Sequence, residues 1–421
     1  MNASHTLAAL FVFVLACAAV VFMRHRALKS FAFTAWVFTF VAASMVWPPA
    51  FGTWLGYDLK NLVVPLVQII MFGMGTKLSL ADFVRVFVMP WPVLIGLGLH
   101  YTVMPLAGFA IARGFGFPPE VAAGVILVGS VSSGAASNLM AYLARGNVAL
   151  AVTITACSTL VSPLMTPFLM QRLAGQMVPI DFLKMMLEIF NIVIVPVVAG
   201  LIANRILYGS RACYNRGLPL GAMAAAGILF ATGAGMLPGA QLGRLAALQA
   251  GAAVGLGLIA LVALTKLCVS VIARQPGNWM DRVLPLVSMT GICLIIAIIT
   301  ARSRERLLSV GAALIVAAML HNAIGYLFGY WLARAVRLDE ITCRTIALEV
   351  GMQNGGMASG LAMGVLKSAD AALAPAIFGP WMNISGSILA SWWRRRPVPG
   401  TVAGPVPGQQ PAPRKESLIE K

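Results

Sequence analysis

Glu349 stands in the run Glu349-Val350-Gly351-Met352-Gln353-Asn354, an acid among amides and glycines inside apolar sequence long enough to lie within a membrane. A charged side chain at bilayer depth costs roughly 2.5–3.5 kcal/mol on insertion scales, so it is kept where it binds an ion, a proton or a substrate. A second polar run, Gly129 to Asn138, places four serines, two glycines and an asparagine inside an apolar segment that begins at Val121 and ends near Arg145. Glycine lets backbone leave helical geometry, and interrupted helices at mid-membrane depth offer carbonyls to ions. Glycine and serine also serve helix packing. Asn138 and Glu349, which packing alone does not require, favour a site.

The elements that must carry these runs are membrane helices. The chain of 421 residues is 60% hydrophobic and only 10% charged, with a mean hydropathy of +0.88. Soluble domains carry roughly 25% charged residues. A polytopic integral membrane protein follows. Six cysteines, Cys17, Cys157, Cys213, Cys268, Cys293 and Cys343, show no metal-binding spacing and no disulfide framework. The net charge of +17 comes from basic residues scattered between apolar segments and in the C-terminal region. That pattern fits cytoplasmic loops, not nucleic-acid binding. There is no G-x-S-x-G elbow, no H-E-x-x-H and no pair of catalytic carboxylates in one segment, which argues against an enzyme. Neither a selectivity filter nor a signalling domain is present to suggest a channel or sensor.

Apolar segments fall at 6–23, 30–48, 61–76, 86–112, 121–143, 147–171, 185–204, 218–238, 246–272, 283–300, 308–333, 343–366 and 372–393, roughly thirteen spans at about 20 residues each. The first is followed by Arg24, His25, Arg26 and Lys29, the wrong flank order for a cleaved signal, and reads as an N-out anchor helix. Threading from an outside N-terminus puts most arginines inside, including Arg394-Arg395-Arg396 after the Trp392-Trp393 interface anchor. Arg302, Arg304 and Arg306 fall on the outside, against the trend. Residues 397–421, rich in proline and glycine before a charged end, are expected to be a disordered cytoplasmic tail.

The chain resembles the bile acid:sodium symporter family, which includes bacterial sodium-coupled carriers of pantoate-like and other organic acids. The resemblance rests on Met71-Phe72-Gly73-Met74-Gly75-Thr76-Lys77-Leu78-Ser79, Met104-Pro105-Leu106, Ser137-Asn138, Tyr142-Leu143-Ala144-Arg145-Gly146-Asn147, His321-Asn322 and the Glu349 to Asn354 run. It implies an all-α fold of two inverted five-helix repeats whose fourth and ninth helices cross as discontinuous helices. Here an extra N-terminal helix and a two-helix insertion are added. The corresponding divisions are 1–29 for the anchor, 30–210 for the first repeat and the start of the second, 211–280 for the insertion, 281–396 for the rest, and 397–421 for the tail.

Carried over by position, the resemblance implies one sodium site from Ser137, Asn138, Thr155 and Glu349, and another from Glu349, Val350, Met352, Gln353 and His100. This chain departs once in each: Ala151 stands where the family commonly has a serine, and His100 where it has a glutamine. Imidazole suits protons or softer metals better than sodium. Coupling therefore runs either on sodium, with a water or the hydroxyls of Ser132 and Ser133 making up the loss, or on protons through His100 and Glu349. Asn138, Asn354 and Ser133 are expected beside a small organic anion. The implied function is cation-coupled uptake of that anion by alternating access across a bacterial-type inner membrane, with sodium or protons and membrane lipid as partners and no cofactor. Glu188 and Asn191 share a helix face and either line the cavity or lie at the interface. His321-Asn322 reads as an interhelix hydrogen-bonding pair, and Lys266 is expected to snorkel to the cytoplasmic interface.

Overall fold

The structure, a computed structural model, describes residues 3–25, 32–236, 246–274 and 279–396. The tail expected at 397–421 lies outside them. Seventeen α-helices follow in order: α1 Ala3–Arg24, α2 Ala32–Val46, α3 Val63–Gly75, α4 Leu80–Val84, α5 Pro90–Gly114, α6 Pro119–Ser130, α7 Ala136–Leu143, α8 Val148–Leu173 and α9 Phe182–Ile189. They continue with α10 Val195–Tyr208, α11 Gly217–Met236, α12 Ala246–Lys266, α13 Trp279–Arg302, α14 Arg304–Ala335, α15 Glu340–Gly351, α16 Gly355–Gly364 and α17 Ala369–Arg394. Eight helices among the described residues, α9 and α10 joined through a π turn counting as one, are long and apolar enough to cross a membrane alone. The chain is a multi-pass integral membrane protein, helical among the described residues but for a short antiparallel strand pair, Thr53–Trp54 with Tyr57–Asp58. Each apolar segment of the sequence coincides with one helix or with a pair of half-helices.

Two features were not anticipated. The 61–76 segment leads through a bend of 76° into the short α4 and the turn after it. Ser79 and Asp82 close a capping box there, the Asp82 carboxylate accepting from the Ser79 N–H at 2.7 Å. That sets a sharp N-terminus for α4 directly after α3. The second is the π turn Phe190–Ile194 between α9 and α10, where Gln68 of α3 donates to the Asn191 carbonyl at 3.2 Å.

The two polar runs do interrupt their helices. α6 ends at Val131 and α15 at Met352, both with extended backbone. The freed backbone of each break pairs with the other. Gly134 N–H donates to the Met352 carbonyl and Asn354 N–H to the Ser132 carbonyl, each at 2.9 Å, forming a one-residue antiparallel bridge between Ser133 and Gln353. Unpaired peptide groups inside a bilayer cost several kcal/mol each, so mutual pairing is what makes two breaks at one depth tolerable. Gly134 is required by the close approach: a Cβ there would stand 2.6 Å from the Gln353 carbonyl oxygen. Side chains satisfy further groups at the breaks, with Asn322 donating to the Gly351 carbonyl at 2.6 Å.

α11 and α12 pack on each other, and α12 packs on α10 and α3. The expected snorkelling of Lys266 does not occur. Its side chain is buried, and Nζ donates to the carbonyls of Ile206 at 2.6 Å and Leu207 at 3.1 Å and to Asn215 Oδ1 at 3.2 Å. The last carbonyls of α10 have no internal donors and carry the negative end of the helix dipole, so an ammonium turned inward is better placed than one reaching for headgroups. Two of the three out-of-pattern arginines hold acids. Arg302 pairs with Asp58, and Arg306 with Asp370 at 3.0 Å.

Candidate functional site

Glu349 sits two residues before the end of α15 and is fully buried. Its carboxylate accepts from Ser133 Oγ at 2.8 Å, from Ser137 Oγ, and from Thr155 Oγ1 at 2.8 Å. Ser133 belongs to the first break, Ser137 to the opening turn of α7, and Thr155 to α8, so three elements converge on an acid delivered by a fourth. Asn138 Oδ1 joins through a bond from Thr155 Oγ1 at 3.3 Å. α8 is held in register by Asn147, whose side chain accepts from the Leu150 N–H at 3.0 Å as an N-cap.

The donor set is all oxygen: one carboxylate, three hydroxyls and one amide. Serine and threonine hydroxyls donate to the carboxylate now, and each can turn its lone pairs toward a cation instead. Hard cations choose such oxygen ligands. Among the described residues no group of three or more His, Cys, Asp or Glu side chains could hold a metal ion.

The other carried-over residues are arranged differently. His100, fully buried, places Nε2 at 2.8 Å from the Val131 carbonyl oxygen and Nδ1 at 3.3 Å from the backbone carbonyl oxygen of Glu349. The ring thus bridges the two breaks through their backbone and does not bond the Glu349 carboxylate. Gln353 Nε2 donates to the Val350 carbonyl at 2.7 Å, leaving Oε1 buried without a partner. The Met352 carbonyl accepts from Gly134 N–H and, at 3.4 Å, from Ser133 Oγ. Ser133, expected to face substrate, is fully buried with its hydroxyl on the carboxylate. Ser132 does not reach it; its hydroxyl meets the Met357 sulfur at 3.6 Å. Ala151 is buried one turn before Thr155 and offers only a methyl group.

A cavity of about 240 Å³ lies against this crossing. Its walls come from α2, α3, α13 and α17, and its lining includes Ala135, Ala136, Gln353, Asn354 and Gly356 of the breaks and half-helix starts. Asn354 caps α16, accepting from the Met357 N–H at 3.0 Å, and its amide faces the Met71 sulfur at 3.8 Å. Glu188 and Asn191 are bonded to each other at 3.3 Å and are not lining residues of this cavity. Ser288 and Asn383 are lining residues that the sequence patterns did not single out, and Lys77, part of the Met71 to Ser79 run, lines it too.

The model of the sodium bile acid symporter family matches residues 64–236. A relative from Bacillus subtilis, described as an uncharacterized sodium-dependent transporter, YocS, is 33% identical over 364 residues, 86% of this chain and 91% of that protein. The chain belongs to the sodium bile acid symporter family. A probable sodium/metabolite cotransporter of rice chloroplasts, BASS1 from Oryza sativa subsp. japonica, is 29% identical over 87% of this chain and 73% of its own length. The ileal sodium/bile acid cotransporter of Oryctolagus cuniculus is 26% identical over 75% and 74%. These relatives are named as transporters, and this member of the family is likewise a membrane transporter, not an enzyme. A sodium proton antiporter from Methanocaldococcus jannaschii, MjNhaP1, superposes with a TM-score of 0.54 at 15% identity, covering 92% of this chain and 97% of that one. At that identity the likeness shows a shared fold alone.

Proposed function

We propose that this family member is a secondary active transporter in which sodium binding at Glu349 is coupled to uptake of a small organic anion across the inner membrane by alternating access. One observation carries this: the buried carboxylate ringed by Ser133, Ser137 and Thr155 where two broken helices cross. A cation there neutralises Glu349 and ties α7 and α8 to α15. The relatives' printed names, sodium-dependent transporter and sodium/metabolite cotransporter, favour sodium as that cation. The anion then lies in the adjoining cavity, where the starts of α7 and α16 and the Asn354 amide face it. Helix N-termini carry roughly half a positive charge each and free N–H groups. The cavity is just below the roughly 300–1,000 Å³ of typical ligand pockets, which points to a small solute. One bundle rocking about this fixed crossing supplies access to each side in turn, as two inverted repeats would permit.

In the rival scheme protons replace sodium through His100 and Glu349. The His100 ring faces two carbonyl oxygens and not the carboxylate, so it offers no direct path between the two groups. Thermal unfolding of purified protein in sodium against potassium, at several pH values, separates the schemes. Sodium alone raises the midpoint of the parent, by a mass-action term of about 2.7 kcal/mol at a hundredfold excess over the dissociation constant. Glu349→Gln, which keeps the shape and removes the charge, loses that rise. An equal response to potassium, or an undiminished sodium response in Glu349→Gln, overturns the assignment.

A further inference from the structure

The cavity has a single ionisable side chain among its lining residues, Lys77, at its exposed rim just beyond the end of α3. We propose that Lys77 is the residue by which this cavity selects an anionic over a neutral solute. The proposal rests on the cavity being the substrate site and deepens that assignment.

Three observations support it. First, among the described residues the Lys77 ammonium has no hydrogen bond or ion pair. Five basic side chains, Lys60, Arg85, Arg302, Arg306 and Arg344, hold carboxylates; Lys77 is among those that do not, and it alone of them lines the cavity. The acid nearest in sequence, Asp82, is already used by Arg85 and by Ser79 N–H and Oγ. Second, the floor of the cavity gives direction without a full charge, since Asn354 and Gln353 are neutral amides and none of the lining residues is an acid. A unit positive charge at the mouth of this space adds to the helix N-termini as a reason for an anion to enter it. Third, the wall between the Asn354 amide and the rim suits a small apolar body. Met71, Met74 and Ile292 line the space between, and methionine walls adapt to varied apolar bodies.

A lysine at the end of a membrane helix commonly serves only to sit at the interface, and the test is built to tell that role from selection. Purified parent, Lys77→Gln and Lys77→Arg are titrated in saturating sodium with isobutyrate, 3-hydroxybutyrate and benzoate, each beside its uncharged amide, and thermal unfolding is read. At least one acid stabilises the parent, and its amide does not. Lys77→Gln raises the half-saturating acid concentration at least tenfold, Lys77→Arg changes it less than threefold, and both keep the parent's sodium response. Equal acid affinity in Lys77→Gln, equal binding of the amide, or no stabilisation by any of the three acids overturns the proposal. Loss of the sodium response in the parent itself refutes the sodium assignment instead, so the two failures are distinct.

Discussion

Thr155→Val is the sharpest probe of the Glu349 site. Valine matches threonine in shape and replaces a hydroxyl by a methyl group, so packing in α8 is kept while one of three donors to the carboxylate is lost. The Thr155 bond is 2.8 Å long and fully buried. Hydrogen bonds to charged groups contribute about 1.5–3 kcal/mol, and this is the expected loss of stability in sodium-free protein. With sodium bound, the same oxygen is a cation ligand, and the sodium affinity changes only by the difference between the two roles. A net difference of about 1.4 kcal/mol corresponds to a tenfold weaker sodium half-saturation. The assay is sodium-dependent thermal unfolding of Thr155→Val beside Ser132→Ala, whose hydroxyl meets only the Met357 sulfur. The reasoning is refuted if Thr155→Val and Ser132→Ala behave alike, both in sodium-free stability and in sodium half-saturation.

Two further outcomes follow from the fold. Lys266→Met leaves the Ile206 and Leu207 carbonyls and Asn215 without their shared donor, and is expected to lower unfolding stability by about 1–3 kcal/mol while leaving the sodium half-saturation unchanged. Asp339 caps α15 from outside the membrane span. Burial pushes its carboxyl up, but the Thr342 hydroxyl and the N–H groups of Thr342 and Ile341 outweigh that, so it ends below its ordinary value of 3.8. A folded value below the unfolded one contributes stability that is present above about pH 4 and is lost as pH falls through the folded value. Unfolding scans from pH 3 to 7 should show this acid loss in the parent and less of it in Asp339→Asn, which costs under about 1 kcal/mol at pH 7 because asparagine also caps helices.

Hydropathy made the helices legible, and the glycine and serine runs made the breaks legible, because both depend on local composition. Glu349 stood out since an acid in apolar sequence needs a reason. The partners of these residues were less accessible. That Ser133, rather than Ser132, turns onto the carboxylate depends on the backbone pairing of Ser133 with Gln353 across the crossing. No spacing within either run encodes that pairing. Lys266 was misplaced for a related reason: the carbonyls that hold it belong to α10, some 60 residues earlier. The onset of α4 was readable in hindsight, as Ser79 followed three residues later by Asp82 fits a capping box. Lys77 stood in the sequence within the run Met71 to Ser79, but nothing in that run marked it as bordering a cavity.

The crossing also sets a timetable. Thr155 and Glu349 are 194 residues apart, and at typical synthesis rates of about 5–20 residues per second that interval lasts roughly 10–40 s. Throughout it, the serines and open backbone of the first break, and Thr155 of α8, lack the second break to bind. The nascent transporter is thus polar at its centre until about the last fifth of the 421 residues is reached, and a chain stopped before α15 lacks the partner that closes that gap. Premature termination in this protein should therefore yield substrates for membrane quality control, not half-working carriers.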